Sequence, residues 1–182
     1  MKGIVFTEFL EMVEKTFSPE TADQIILASE LPHGGAYTAV GTYPHAEMVS
    51  LVVHLSEVSA TPVPDLLRTF GRHLFSRFVA LYPAFFPSGM DTLTFLAGVE
   101  THIHAEVLKL YPDAQLPRFD TRRAGEDELV MDYRSDRAMH DLAEGLIHGC
   151  IQHFGERVHL RKEVVDGTGG TCARFVLRRE RL

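Results

Sequence analysis

The order of apolar and polar residues divides the chain into a helical first two-thirds and a last third with strand character. Val5, Phe9 and Val13 recur every fourth position, with Phe6 and Leu10 beside them, as on one face of an amphipathic helix. Ser18-Pro19 pairs a capping hydroxyl with proline at the first helical position. The helix it starts carries Ile25, Ile26 and Leu27 and is broken by His33-Gly34-Gly35. Another helix is expected from Ala46 to Ser59. Pro64 opens the next, which carries Leu67, Phe70, Leu74 and Phe78. Tyr82 to Gly89, with Pro83 and Pro87, reads as a loop. Asp91 caps a long helix that runs to about Tyr111, and Pro112 ends it.

Beyond Pro117 the period changes. RFDTRR and ELVMDYR read as two strands around AGED. Ser135 with Asp136 is expected to start a helix that stops at Gly155, a C-cap glycine. VHLRKEVV, the turn DGTGG and TCARFVLRR form a second hairpin. In its last strand Ala173, Phe175 and Leu177 alternate with Arg174 and Arg178, so one face is inside and the other in water. The expected class is α+β: an N-terminal helical subdomain packed on a C-terminal ββαββ part with a four-stranded antiparallel sheet.

With 182 residues the chain suits one domain and needs no disulfide staples. Its 25 acidic and 18 basic residues leave a formal charge of −7, which argues against nucleic acid or an anionic membrane as main partner. Cys150 and Cys172 are too few for a secreted disulfide framework or a Cys-rich metal site. Glu8, Glu11 and Glu14 interrupt the first apolar run, so no signal peptide is read, and no stretch approaches the ~20 apolar residues of a membrane span. A soluble, cytoplasmic protein is expected. Histidine, present ten times, is the unusual count, and its imidazole is the commonest metal ligand.

Two histidines stand close together in THIHAEVLKLY, at 102 and 104. Each helical residue advances about 100°, so the two point nearly opposite ways. Taking Leu93 as reference, His104 falls in the apolar stripe with Ala97, Val107, Leu108 and Tyr111, all within about 60°. His102 falls on the wet face beside Glu106 and Lys109. Glu100 also falls near the stripe and is its one defect. An inward histidine is either a core residue bonded to a carbonyl or a ligand. Alone it cannot make a four-ligand zinc site, but it can be the single axial ligand of a heme.

Tyr133, Ser135 and Arg137 form the triplet Y-x-S-x-R at a strand-to-helix junction. Two hydroxyls, a guanidinium fork and a helix N-terminus suit carboxylates or phosphates. The same residues also accommodate a plain structural role: Ser135 as a cap, Arg137 paired with Asp136 or Asp141, Tyr133 as a strand aromatic. Together, an inward His and a distant carboxylate cradle suggest heme, with its one axial position and two propionates.

The segments MKGIVF, FGRHLF, IHAEV with KLYPDAQLPRF, and YRSDR followed by LAEGLIHG carry a resemblance over essentially the whole chain. The chain resembles the heme–nitric oxide/oxygen binding (H-NOX) family, the sensor domain shared by bacterial gas sensors and soluble guanylate cyclase. The resemblance implies one domain over residues 1–182 with heme b between two parts, distal over roughly 1–62 and proximal over 63–182. It makes His104 the axial ligand of the heme iron, Tyr133, Ser135 and Arg137 the propionate holders, and Pro117 the proline that presses on the porphyrin. Val5, Phe9, Leu74, Phe78 and Leu146 match pocket positions. The distal position that is Tyr in oxygen-binding members is Leu142 here, which implies that NO and CO bind and O2 does not. His140, one helix step away, is the polar group nearest to disturbing this.

The family also implies a switch rather than turnover. NO loosens the bond between the iron and His104, the heme relaxes against Pro117, and the helical part rotates on the rest. With no output domain read after Leu182, a separate effector is expected, a histidine kinase or a cyclic-di-GMP synthase or phosphodiesterase. Some members carry a Cys/His zinc site. Cys172 and perhaps His140 are the only candidates here, so no zinc is expected. Two other classes compete. One is an acid–base enzyme using His104, Glu100 and Glu106, which lacks a nucleophile motif. The other is a heme-free interaction module whose cradle is only a cap.

Overall fold

The computed structural model describes residues 1–167 and 170–180. The N-terminal apolar stripe folds as α1 (Gly3–Thr16), which buries Phe6, Phe9, Met12 and Val13. Ser18 caps α2 (Pro19–Ala28) by accepting from Thr21 N at 3.1 Å. This helix stops ahead of His33-Gly34-Gly35, because Glu30 takes a φ of 47° and turns the chain. α3 (His45–Ser59) and α4 (Val63–Leu81) add Leu51, Leu55, Phe70 and Leu74 to one cluster with Phe9.

The last third supplies β1 (Arg118–Arg123), β2 (Glu128–Ser135), β3 (Val158–Gly167) and β4 (Gly170–Arg179). They form an antiparallel sheet in the order β1-β2-β4-β3. The expected alternation holds in β4: Phe175 and Leu177 are fully buried. Arg174 and Arg178 lie across from Asp132 and Glu128 and pair with them. Thr168 and Gly169, in the expected DGTGG turn, lie outside the described residues, as does the side chain of Cys172. No helix among the described residues is long and apolar enough to cross a membrane.

The structure corrects the sequence-based expectations at two places. The helix expected over 91–111 is three pieces: α5 (Thr92–Ala97), a π turn over Val99–His104, and α6 (Ala105–Leu110). Asp91 does cap it, accepting from Thr94 N at 2.7 Å. The wider turn rotates α6 away from the register of a plain α-helix, so Leu108, assigned to the apolar stripe, is 42 % exposed. The second correction is the start of α7 (His140–Phe154), which lies five residues after Ser135 because β2 runs through Ser135 and Ala138 turns the chain with a φ of 51°. Gly155 ends α7 in the left-handed conformation, as expected.

α7 seats against α4 through glycines. A Cβ on Gly145 would lie 2.3 Å from Arg68 O, and one on Gly71 would lie 2.4 Å from Leu142 O. Backbone cannot yield there without separating the helices. Gly145→Ala is therefore expected to cost about 2 kcal/mol, lowering the thermal midpoint by roughly 4–8 °C for a chain of this size. A melting curve unchanged from wild type would show that the helices separate freely. The α4–α7 seam joins two apolar clusters, one under the N-terminal helices and one under the sheet, and Leu146 packs against both.

Candidate functional site

His104 ends the π turn with its side chain 14 % exposed. Its Nδ1 lies 3.2 Å from Glu100 Oε2, and that oxygen also accepts from Phe119 N at 3.1 Å. A carboxylate only accepts, so Nδ1 carries the proton and the Nε2 lone pair is free. Among the described residues Nε2 has no hydrogen-bond partner. Burial pushes the His104 pKa below the ordinary imidazole value, with Glu100 opposing. The ring is thus held in the neutral form that a metal needs. His102 is exposed, its Nδ1 2.9 Å from Thr101 Oγ1, so the two histidines do face apart.

Phe119 links His104 to the cradle. Its ring lies 5.9 Å from that of His104 and 5.5 Å from that of Tyr133. Tyr133 is 2 % exposed on β2, and burial raises its pKa, partly offset by the neighbouring Ser135 side chain, Met139 backbone and Arg137 charge. The phenol remains a donor at neutral pH. Ser135 Oγ accepts from Arg137 N at 3.2 Å. Arg137 does not pair with Asp136 or Asp141. Its Nη1 donates to Gln115 O at 2.9 Å and its Nη2 to Gln115 Oε1 at 2.7 Å, while Asp141 is held by Arg68 at 3.0 Å and by Lys162. Because α7 begins later than expected, the triplet sits on a strand end and turn and gains nothing from a helix N-terminus. A cavity of about 420 Å³ opens beside Arg137, lined also by Met1, Lys2, Tyr43, Asp113 and Gln115.

The apolar candidates converge. Phe9 and Leu74 are buried in one cluster, and Val5, Phe78, Leu142 and Leu146 pack against it. Leu146 also packs against the second cluster, which contains Phe119 and Tyr133. Pro117 is half-buried immediately before β1, two residues after Gln115. No hydrogen bond or ion pair joins His104 to Arg137; ring contacts lead from His104 through Phe119 to Tyr133, four residues before Arg137. His140 Nδ1 is buried without a hydrogen bond, 3.5 Å from Asp141 Oδ2.

No group of three or more His, Cys, Asp or Glu among the described residues could hold a metal ion. A metal bound by His104 must then bring its other donors with it, as a porphyrin does. A neutral histidine with a free Nε2, a remote donor set for carboxylates, and apolar walls fit that cofactor. Two roles are not legible in the sequence, that of Glu100 as partner of His104 and that of Gln115 as partner of Arg137. Glu100 broke the apolar stripe four residues before His104, which was the signal for a partner. Gln115 gave none.

The family model described as Haem-NO-binding matches residues 2–162. No curated protein matches the chain significantly. Among solved structures, the unliganded Fe(II) H-NOX protein from K. algicida is 40 % identical, with a TM-score of 0.93 over 100 % of this chain and 98 % of that one. The S. oneidensis H-NOX protein in its Fe(II)NO state is 24 % identical, with a TM-score of 0.90 and full cover of both chains. A point mutant of T. tengcongensis H-NOX is 21 % identical, with a TM-score of 0.90 over 100 % of this chain and 98 % of that one. The last two speak to the fold alone. The chain thus belongs to the haem-NO-binding, or H-NOX, family of heme-binding gas-sensor domains.

Proposed function

We propose that this chain is a sensor of nitric oxide that holds ferrous heme b through His104, binds NO and CO, excludes O2, and signals to a separate protein without catalysing a reaction. One observation carries this: His104 is partly buried, its Nδ1 is committed to Glu100, and its Nε2 is without a partner among the described residues. Tyr133, Ser135 and Arg137 hold the propionates, with Arg137 exchanging Gln115 for a carboxylate. Pro117 would press on the porphyrin, and Val5, Phe9, Leu74, Phe78, Leu142 and Leu146 would exclude water from it. When bound, ferrous heme would supply an iron that takes up NO or CO, and uptake of NO would loosen its hold on His104.

His104 is then the group that is held or let go. Released, it frees the π turn to move against β1, and the distal part, roughly residues 1–62, shifts on the proximal part, 63–182. The changed surface is read by an effector, a histidine kinase or a cyclic-di-GMP synthase or phosphodiesterase. The site takes no zinc, and the protein works in the cytoplasm. Leu142 offers no hydrogen-bond donor to O2.

An absorption spectrum of the purified, reduced protein tests this. A Soret band that shifts with NO and with CO, and does not take up O2 reversibly in air, is the expected result. Reversible O2 uptake overturns the selectivity. The absence of a band even after reconstitution favours a heme-free interaction module, a role consistent with Arg137 being satisfied by Gln115 alone.

A further inference from the structure

Glu100 makes two connections with one oxygen. Oε2 accepts from His104 Nδ1 at 3.2 Å and from Phe119 N at 3.1 Å. β1 is an edge strand, and an edge leaves alternate N–H groups without a sheet partner. Phe119 N–H is met by Glu100, and Thr121 Oγ1, two residues on, donates to Ala97 O at 3.2 Å. The strand is thereby fastened to α5 and the π turn at two points.

A helix–strand tie alone would need only Phe119 N. The carboxylate also takes the imidazole N–H, and an imidazole that donates to a carboxylate is a more basic ligand through its other nitrogen. In the β1–β2 register Phe119 stands opposite Tyr133. The path from His104 through Glu100 to Phe119 thus ends on the strand pair that carries the cradle. We propose that Glu100 is a positioning residue that sets how firmly His104 holds iron and ties that hold to β1, an inference that rests on His104 being the iron ligand.

The test is Glu100→Gln in the heme-loaded chain. Glutamine keeps an acceptor oxygen for the same donors and removes the charge. The iron–histidine stretching band of the reduced protein, read by resonance Raman, is expected at lower frequency than in wild type. Heme transfer to excess apomyoglobin is expected to be about 10- to 100-fold faster, the usual scale for losing an outer partner of a metal ligand. A merely structural tie would leave the stretching band where it is. A band at the wild-type frequency therefore overturns the proposal while leaving the heme site intact.

If Glu100→Gln retains no heme, His104→Gly supplied with imidazole or with 1-methylimidazole decides the matter. Only the first can donate to Glu100. A lower iron–ligand frequency and weaker retention with the methylated base are expected, and equal values overturn the proposal. A wild-type chain with no heme band would remove the underlying assignment of His104 as well.

Discussion

His104→Gly is expected to leave the purified chain without its ferrous heme band, and free imidazole is expected to restore it. His104 offers a neutral Nε2 with no hydrogen-bond partner, and among the described residues no other cluster of ligating side chains stands in reserve. Losing the ligand itself must exceed the about 10- to 100-fold loss of affinity that follows from losing one of its outer partners. The fold has little reason to fail. Glycine in a helical turn costs about 1 kcal/mol, so the far-UV circular dichroism should match wild type. The imidazole-filled variant also separates holding from signalling. Free imidazole has no covalent link to the π turn, so letting go of it moves nothing in the chain. In wild type, NO should change amide exchange over residues 99–110; in the filled variant it should not. A full Soret band without imidazole, or an NO-dependent exchange change that survives the substitution, would sink the assignment of His104.

Why His104 was legible in the sequence while its surroundings were only partly so comes down to periodicity. The inward direction of His104 survives the local change of helix type, because residues two apart still face opposite ways in the wider turn. What does not survive is the register beyond it: Leu108, which a plain α-helix puts in the stripe, is 42 % exposed. A π turn has no side-chain signature of its own, and the one disturbance visible in the sequence was Glu100 inside the apolar face. That charge is tolerated because His104 and the open N–H of an edge strand satisfy it.

The strands were read more fully because alternation is tested by every second residue, as Ala173, Phe175 and Leu177 against Arg174 and Arg178 show. The start of α7 is not legible for the converse reason. Ser135-Asp136 has the composition of a cap, yet pairing with β4 keeps Ser135 extended, and tertiary pairing outweighs local propensity. The pocket residues were legible only as apolar. Which of them face the same space depends on the close seating of α7 on α4, which Gly71 and Gly145 permit and no pattern of hydrophobic residues announces.

Leu142→Tyr is expected to convert the chain into one that takes up O2 reversibly. Leu142 lies on α7, half-buried against the cluster that contains Phe9 and Leu74. NO and CO bind ferrous heme well without help from the protein, whereas bound O2 carries partial negative charge and gains from a donor. A phenol in a dry pocket supplies one. A hydrogen bond to a charged group contributes about 1.5–3 kcal/mol, which corresponds to roughly 10- to 100-fold in O2 affinity.

The larger ring also strains the packing, because Leu142 belongs to the close α4–α7 seam, its carbonyl oxygen lying 2.4 Å from where a Cβ on Gly71 would stand. Overpacking of this kind costs about 1–3 kcal/mol of stability. Leu142→Phe carries the same bulk without the hydroxyl and isolates the donor. The reduced tyrosine variant should shift its absorption in air and shift back when O2 is removed, while the phenylalanine variant and wild type should not. Uptake by Leu142→Phe would mean that space, not a donor, admits O2. Uptake by wild type would mean that another group, such as His140 two residues before Leu142, already serves the ligand.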